Sequence, residues 1–391
     1  MKIKNIVFLI NSMGSGGAER VVSLLIDDFI KKGLKVHLLV LNEDSVYQVN
    51  DKVIFNSLTK TSNKHFLVQL FDNFFIVPLR LKKYCVENNI DVVMSHLYRS
   101  NYANSICKVL GGRPLSIGVQ HSHASNSYSS KSIKDRFNRI LIKKLLPHLD
   151  AITTVSKVMR MDLHNSFKIP LRKLYYIGNP IEIEKIKLKS KSDYEGPIKD
   201  NDFTFISLGS FVKRKNHELI IKSAQRINSL KFNLVIMGRG ELKDYYLNLI
   251  EKYGMKHKIK LIDFDENPFK FLANSHCLIN SSNAEGLPMV MLESLACDLP
   301  IISTDCLSGP REILAPNSNL NYSLNSEIEV SDYGILTPTN DVDCLAEAME
   351  FIIKNKVYRE RLISNSKHRI AEFELKNISK EYIKLIDNIK C

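Results

Sequence analysis

A chain of 391 residues, 44% hydrophobic and 25% charged, is long enough for two domains with separate cores and has the composition of a soluble globular protein. No apolar run approaches the roughly 20 residues that span a bilayer, and seven scattered cysteines without a CxxC pair tell against a disulfide frame or structural zinc and suit a reducing cytoplasm. The net charge of +13 is one-sided: residues 1–180 carry 26 Lys and Arg against 12 Asp and Glu, whereas residues 181–391 carry 29 against 30. Such a surplus suits nucleic acid, an anionic membrane surface or a phosphorylated acceptor. The lack of Trp and of an aromatic-plus-basic RNA-binding signature argues for no nucleic acid.

Residues 1–10 imitate a signal peptide, but the apolar core is too short and no cleavage site follows, so 5–10 reads as a buried first strand. The glycine-rich stretch from Asn11 to Arg20 then leads into a helix over 18–32, where Gly16 and Gly17 let the backbone approach a ligand. It imitates the dinucleotide fingerprint, with Glu43 near the end of a second strand at 35–41, but Glu19 occupies the third glycine position. A tight turn without a ligand is the plainer alternative. A helical pattern at 66–88 and strands at 91–95 and 115–119 follow. His121, just past the last of these, suits a polar site at a strand end, and His121 with His123 has no carboxylate nearby to make a metal site. Two basic amphipathic stretches, 71–83 with Phe74, Phe75 and Leu79, and 131–148 with Phe137, Ile140 and Leu141, suit an anionic lipid interface or simply a core-facing helix. A helix at 133–146 and a strand at 151–155 complete a first domain over 1–178.

The pattern lapses over 179–201, which reads as an interdomain linker. It resumes with strands at 203–208, 232–237, 259–262, 276–280 and 300–303, a second domain over 202–370, with a last helix within 371–391 able to pack back across the junction. Strands alternating with helices predict an α/β fold of two doubly wound, Rossmann-like parallel sheets, with ligands at the strand carboxyl ends. Lys213, Arg214 and Lys215 follow the first strand of the second domain and suit a diphosphate leaving group, or a solvated basic turn. Asp263-Phe264-Asp265 imitates a cation-binding acidic pair but reads as a loop.

The run from Asn283 to Glu293 is the most informative. Glu285 precedes Gly286-Leu287-Pro288, and an apolar helix starting near Pro288 and Met289 carries Glu293 about two turns in. The turn offers free N–H groups and the positive helix end to a phosphate, while the two carboxylates suit hydroxyls on either side of it. A nucleotide-sugar presents that pattern; two solvated glutamates at a loop–helix junction are the alternative.

With these residues assembled, the chain resembles retaining glycosyltransferases of family 4 in the GT-B group, and within them enzymes that extend lipid-linked or surface polysaccharides in bacteria. Glu285 and Glu293 match the family's E-x7-E motif, Gly14 to Arg20 its glycine loop, Lys215 its phosphate-binding lysine and His121 its N-domain histidine. Asp305 to Glu312 resembles a segment common in polysaccharide-assembly members. The resemblance implies two domains facing across a cleft, with hinge closure about 178–201 excluding water. It implies a nucleotide-sugar donor, on uridine diphosphate, held by Glu293 at the ribose, Lys215 and Gly286–Met289 at the diphosphate, Glu285 at the sugar and Gly238-Arg239-Gly240 beside the base. Gly16 and Gly17 approach the phosphates, and His121 lies near the transferred sugar. No metal and no cofactor beyond the donor are expected, and the leaving phosphate helps deprotonate the acceptor. The acceptor is expected to be a polyprenyl-diphosphate saccharide, used by a cytoplasmic enzyme peripheral on the inner membrane. The chain departs from the family at Ser210, where an Arg is usual, and Lys213 or Arg214 is expected to compensate. A nucleotide-sugar epimerase of the same shape and a non-catalytic sugar- or lipid-binding protein are the competing readings. The first would need no acceptor; the second would release no nucleotide.

Overall fold

The aliphatic and β-branched runs pair as parallel strands in two separate sheets, because strands covered by helices on both faces are apolar throughout. The structure is a computed structural model that describes residues 3–14, 16–42, 50–59, 71–194, 196–197 and 202–390, apart from the side chains of 73 and 390. Glu43 and residues 66–70 lie outside the described residues. The chain divides into two units, Met1–Pro180 with Leu375–Cys391, and Ile181–Glu374.

The first unit contains strands β1 (Asn5–Ile10), β2 (Lys35–Val40), β3 (Ile54–Ser57), β4 (Val92–His96), β5 (Leu115–Gln120), β6 (Ala151–Thr154) and β7 (Leu174–Tyr176), in the order β3-β2-β1-β4-β5-β6-β7. All are parallel. The helix Gly17–Lys31 buries Ala18, Val21, Val22, Leu25 and Phe29, the spacing of one helical face. Ser132 and Ser156 start the helices Ile133–Leu145 and Lys157–Phe167 by accepting from Asp135 and Met159 amides. The helix ending at Glu87 begins with a π-turn over Asp72–Ile76. Pro78 explains it, since proline supplies no N–H and crowds the carbonyl one turn back.

The second unit contains β8 (Thr204–Leu208), β9 (Asn233–Met237), β10 (Ile259–Ile262), β11 (Cys277–Asn280), β12 (Ile301–Thr304), β13 (Glu329–Val330) and β14 (Ile335–Thr337), in the order β10-β9-β8-β11-β12-β14-β13. Only β13 is antiparallel among them. Its core gathers Phe205, Ile220, Ile236, Ile279, Leu345 and Met349, with Phe211, His217 and Tyr246 packed edge-on to one another. In each sheet the strand order reverses once, between β1 and β4 and between β8 and β11. Loops leaving adjacent strands there diverge to opposite faces and open a crevice at the carboxyl ends.

The stretch read as a linker differs from that expectation. It carries a helix, Ile183–Ser190, tied into the second unit by Asn267, whose amide donates to Lys189 O at 2.9 Å. The last helix, Leu375–Lys390, belongs to the first unit, where Ser379 bonds to Asp28 and Lys32 and Tyr382 is fully buried.

Candidate functional site

In the second unit the switch point lies between β8 and β11, and the residues just beyond those strands converge. After β8, Lys213–Lys215 forms a single 3-10 turn that ends at Asn216 in the left-handed conformation, φ +51°. An asparagine tolerates that conformation, and its amide donates to Asn283 and Asn340. After β11, Ser281 Oγ donates to Lys215 O at 2.8 Å, and Asn283 N donates to Arg214 O at 2.8 Å, so a side-chain and a backbone bond join the two loops.

Glu285 sits at this junction and is only 9% exposed. Lys215 Nζ donates to its Oε1 at 2.6 Å, Ser282 Oγ to the same oxygen at 2.6 Å, and Arg214 Nη1 to Oε2 at 3.2 Å. Burial works to raise the Glu285 pKa, but the charges of Lys215 and Arg214 and the hydrogen bonds from Lys215 and Ser282 outweigh it, so the carboxyl lies below its ordinary range. Glu285 is therefore an anion and accepts only. A carboxylate offers about four lone-pair directions, and the room left for a ligand hydroxyl is on Oε2.

Gly286, Leu287 and Pro288 follow, all buried, and Pro288 (φ −69°, ψ 116°) is the N-cap of the helix Met289–Ala296. Pro288 thus stands one place earlier than the first helical position, and Glu293 lies little more than one turn in, closer than the two turns expected. No side chain caps this helix, so the amides of Met289 and Val290 are open to an anion. Glu293 is half-buried.

The segment Asp305–Glu312 braces this turn from behind. Ser308 Oγ donates to Glu285 O at 2.7 Å. Gly309 has φ +88°, and a Cβ there would meet Gly286 O at 2.6 Å and Pro288 Cδ at 2.7 Å. Buried Arg311 grips Asp305 through Nε and Nη2, at 3.0 and 2.6 Å, while Leu324 N donates to the same carboxylate.

Other expected site residues fall differently. Lys213 is exposed and takes no part in the Glu285 cluster. Gly238 and Gly240 are demanded by packing: a Cβ on Gly238 would lie 1.9 Å from Gly209 O, and Gly240, at φ +150°, abuts the backbone of Phe211. Asp263 and Asp265, in the loop after β10, pair with Lys243 and Lys270 on the neighbouring helices. In the first unit, Gly16 is the N-cap and Gly17 the first residue of the helix Gly17–Lys31, and both are exposed. Gly16 needs no positive φ (it is −89°), but a Cβ would strike the Glu19 carboxylate at 2.3 Å.

His121 follows β5 and meets His96, a residue the sequence did not single out, at the end of β4: His96 Nδ1 and His121 Nε2 are 2.9 Å apart. Loss of hydration lowers the pKa of both, that of His121 to about 4. His96 stood one position past the expected strand, which was the only signal for it. Ser281 and Ser282 were likewise passed over, although polar residues beside Glu285 in an apolar stretch are a recognisable sign.

The two basic amphipathic stretches touch where Phe74 meets Phe137. Phe71, Phe75 and Leu79 are exposed on one helix, Ile133, Phe137 and Ile140 on the other, and Phe74 meets Phe137 edge-on at 6.5 Å. Arg80, Lys83, Lys134, Arg136, Lys143 and Lys144 are exposed on these same helices. The core-facing alternative holds for part of the second helix, where Ile142 is fully buried. Among the described residues no helix is long and apolar enough to cross a membrane.

Two family models match, Glycosyltransferase Family 4 over residues 15–185 and Glycosyl transferases group 1 over residues 189–369. The chain is 29% identical over 378 residues to the N-acetylgalactosamine-N,N'-diacetylbacillosaminyl-diphospho-undecaprenol 4-alpha-N-acetylgalactosaminyltransferase of Campylobacter jejuni, covering 96% of this chain and 98% of that protein. It is 32% identical to an uncharacterized glycosyltransferase of Methanocaldococcus jannaschii over 64% of this chain and 67% of the other. The fold matches a sucrose-phosphate synthase from Thermosynechococcus elongatus with a TM-score of 0.80 at 15% identity, over 99% of both chains.

Proposed function

The chain belongs to glycosyltransferase family 4 of the GT-B group, and from that premise we propose a retaining, metal-independent enzyme that moves a hexosyl or N-acetylhexosaminyl group from a uridine diphosphate sugar to a hydroxyl of a polyprenyl-diphosphate-linked saccharide. The observation that carries the reading is the buried Glu285 carboxylate, held by Lys215 and Arg214 next to the uncapped amides of the helix Met289–Ala296. In the proposed reaction the bond from the anomeric carbon to the diphosphate oxygen breaks and a glycosidic bond forms. Lys215, Arg214 and the amides stabilise the departing charge, which requires no metal. Glu285 accepts from donor-sugar hydroxyls and Glu293 from the ribose, while the leaving phosphate takes the acceptor's proton. His121 of the first unit gives a hydrogen bond to an oxygen of the reacting sugar.

The lipid-linked acceptor is supported by the C. jejuni relative, whose name specifies a diphospho-undecaprenol saccharide. The charge surplus of residues 1–180 and the exposed aromatic-and-basic surface support work at the anionic cytoplasmic face of the inner membrane, in surface-glycan synthesis. The test is a panel of nucleotide-sugars assayed for nucleotide release with and without short polyprenyl-diphosphate saccharides. One donor should be discharged only when acceptor is present, the new linkage should keep the donor's anomeric configuration, and chelator should not slow it. Release indifferent to acceptor would overturn the transfer reading, and an inverted linkage the retaining one.

A further inference from the structure

His96 and His121 belong to a column of three rings on or just past three neighbouring strands. Phe8 of β1 stacks on His96 at 5.8 Å and 22°, and His96 stacks on His121 at 5.2 Å and 26°. Phe8 and His96 have no exposed surface, whereas His121 is half-buried at the end of the column. Leu97, directly after His96, has φ +70° and ψ 159°. That region is nearly closed to residues with a Cβ, and such strain persists only where the surroundings enforce it and clusters at functional sites. The position of His96 is thus held from below by Phe8 and along the chain by Leu97.

The 2.9 Å contact between His96 Nδ1 and His121 Nε2 requires one ring to donate and the other to accept. Burial keeps both rings neutral. If His121 donated from Nε2, His96 would carry its proton on its own Nε2, an atom that is buried with no partner. A buried N–H without an acceptor is the rarer defect; an unfilled lone pair is tolerated more often. The favoured arrangement has His96 donating from Nδ1 and His121 accepting at Nε2, with the His121 proton on Nδ1.

We propose that His96 is a positioning residue that locks His121 in the Nδ1–H tautomer, so that His121 offers a fixed hydrogen-bond donor to an oxygen of the reacting sugar. The inference rests on the role given to His121 above. It adds that His121 does not act as the base: its only basic nitrogen is already occupied by His96, so the acceptor's proton leaves by another route.

Side-chain amides test which nitrogen works, because Asn places its NH2 near the position of histidine Nδ1 and Gln near that of Nε2. His121→Asn is expected to turn over at least about tenfold faster than His121→Gln, the worth of one well-placed hydrogen bond. His96→Phe keeps the ring column but removes the donor; it should lower kcat about tenfold with little change in donor KM, and His96→Asn should restore most of the loss. Nitrogen-15 spectra of the full-length protein labelled on histidine should show His121 protonated on Nδ1. A His121 protonated on Nε2, or a Gln variant faster than the Asn variant, overturns the proposal. A His121→Ala enzyme of full activity would instead refute the role assigned to His121, while the spectra would still decide whether His96 sets its tautomer.

Discussion

At the scale of single residues, the proposed donor site depends on how the charges of Glu285, Lys215 and Arg214 share one junction. Lys215 and Glu285 are 70 positions apart and touch at 2.6 Å. Glu285→Gln should lower kcat on the order of 100-fold, as removal of one preorganised electrostatic partner does, and a loss of under threefold would remove Glu285 from the site. The folded Glu285 carboxyl titrates below its ordinary 4.5, so the cluster contributes stability in full above that value and loses it as pH falls further. The melting difference between wild type and Glu285→Gln should therefore hold steady down to about pH 5 and shrink below it. Arg214 is 54% exposed on its side chain, so Arg214→Ala should cost about 1 kcal/mol of stability or less, yet weaken donor binding about tenfold if it replaces the arginine absent at Ser210. Unchanged turnover and donor affinity would end that idea. Glu285, Lys215 and the turn after Glu285 were legible because each sits in a short motif. His96 was not, since its significance lies wholly in a contact with a ring 25 positions away.

At the scale of elements, the strands long enough to be covered on both faces were legible nearly to the residue, for their apolar runs have no other explanation. β3 was not, being an edge strand with mostly exposed side chains, and the buried β14 is only three residues long. The segment from Asp305 to Glu312 was recognisable only as a family segment; its work as a brace requires the positive φ of Gly309 and the hydrogen bond of Ser308, neither of which a sequence displays. Gly309→Ala should push the Gly286–Pro288 turn out of place and raise donor KM severalfold, by strain of about 1 kcal/mol or more; donor titration checks this, and an unchanged KM would relieve the loop of that task. The helices carrying Phe75 and Phe137 make a separate prediction. Vesicles containing anionic lipid should recruit the protein at low salt and release it at high salt, whereas Phe75→Ser with Phe137→Ser should bind markedly less. Equal binding by the double variant would place membrane contact elsewhere or nowhere.

At the scale of the whole molecule, His96, His121 and His217 link stability to pH. His121 and His217 titrate near 4 and His96 well below its usual value, each because burial strips water from the charged ring. Their folded pKa values are lowered, so the unfolded chain takes up protons first: stability is full above about pH 6.5 and is lost as pH falls toward 4. Each such ring contributes a slope of up to about 1.4 kcal/mol per pH unit in that window, and a thermal midpoint flat from pH 7 to 4.5 would contradict the assignment. The chain path has a different consequence. The helix Leu375–Lys390 completes the first unit, although all of the second unit is encoded before it. During synthesis the earlier-made half must therefore wait, its groove for Tyr382 unfilled, until the later-made half has emerged. A released chain ending at residue 374 should yield a protease-resistant fragment of the second unit while the first is digested.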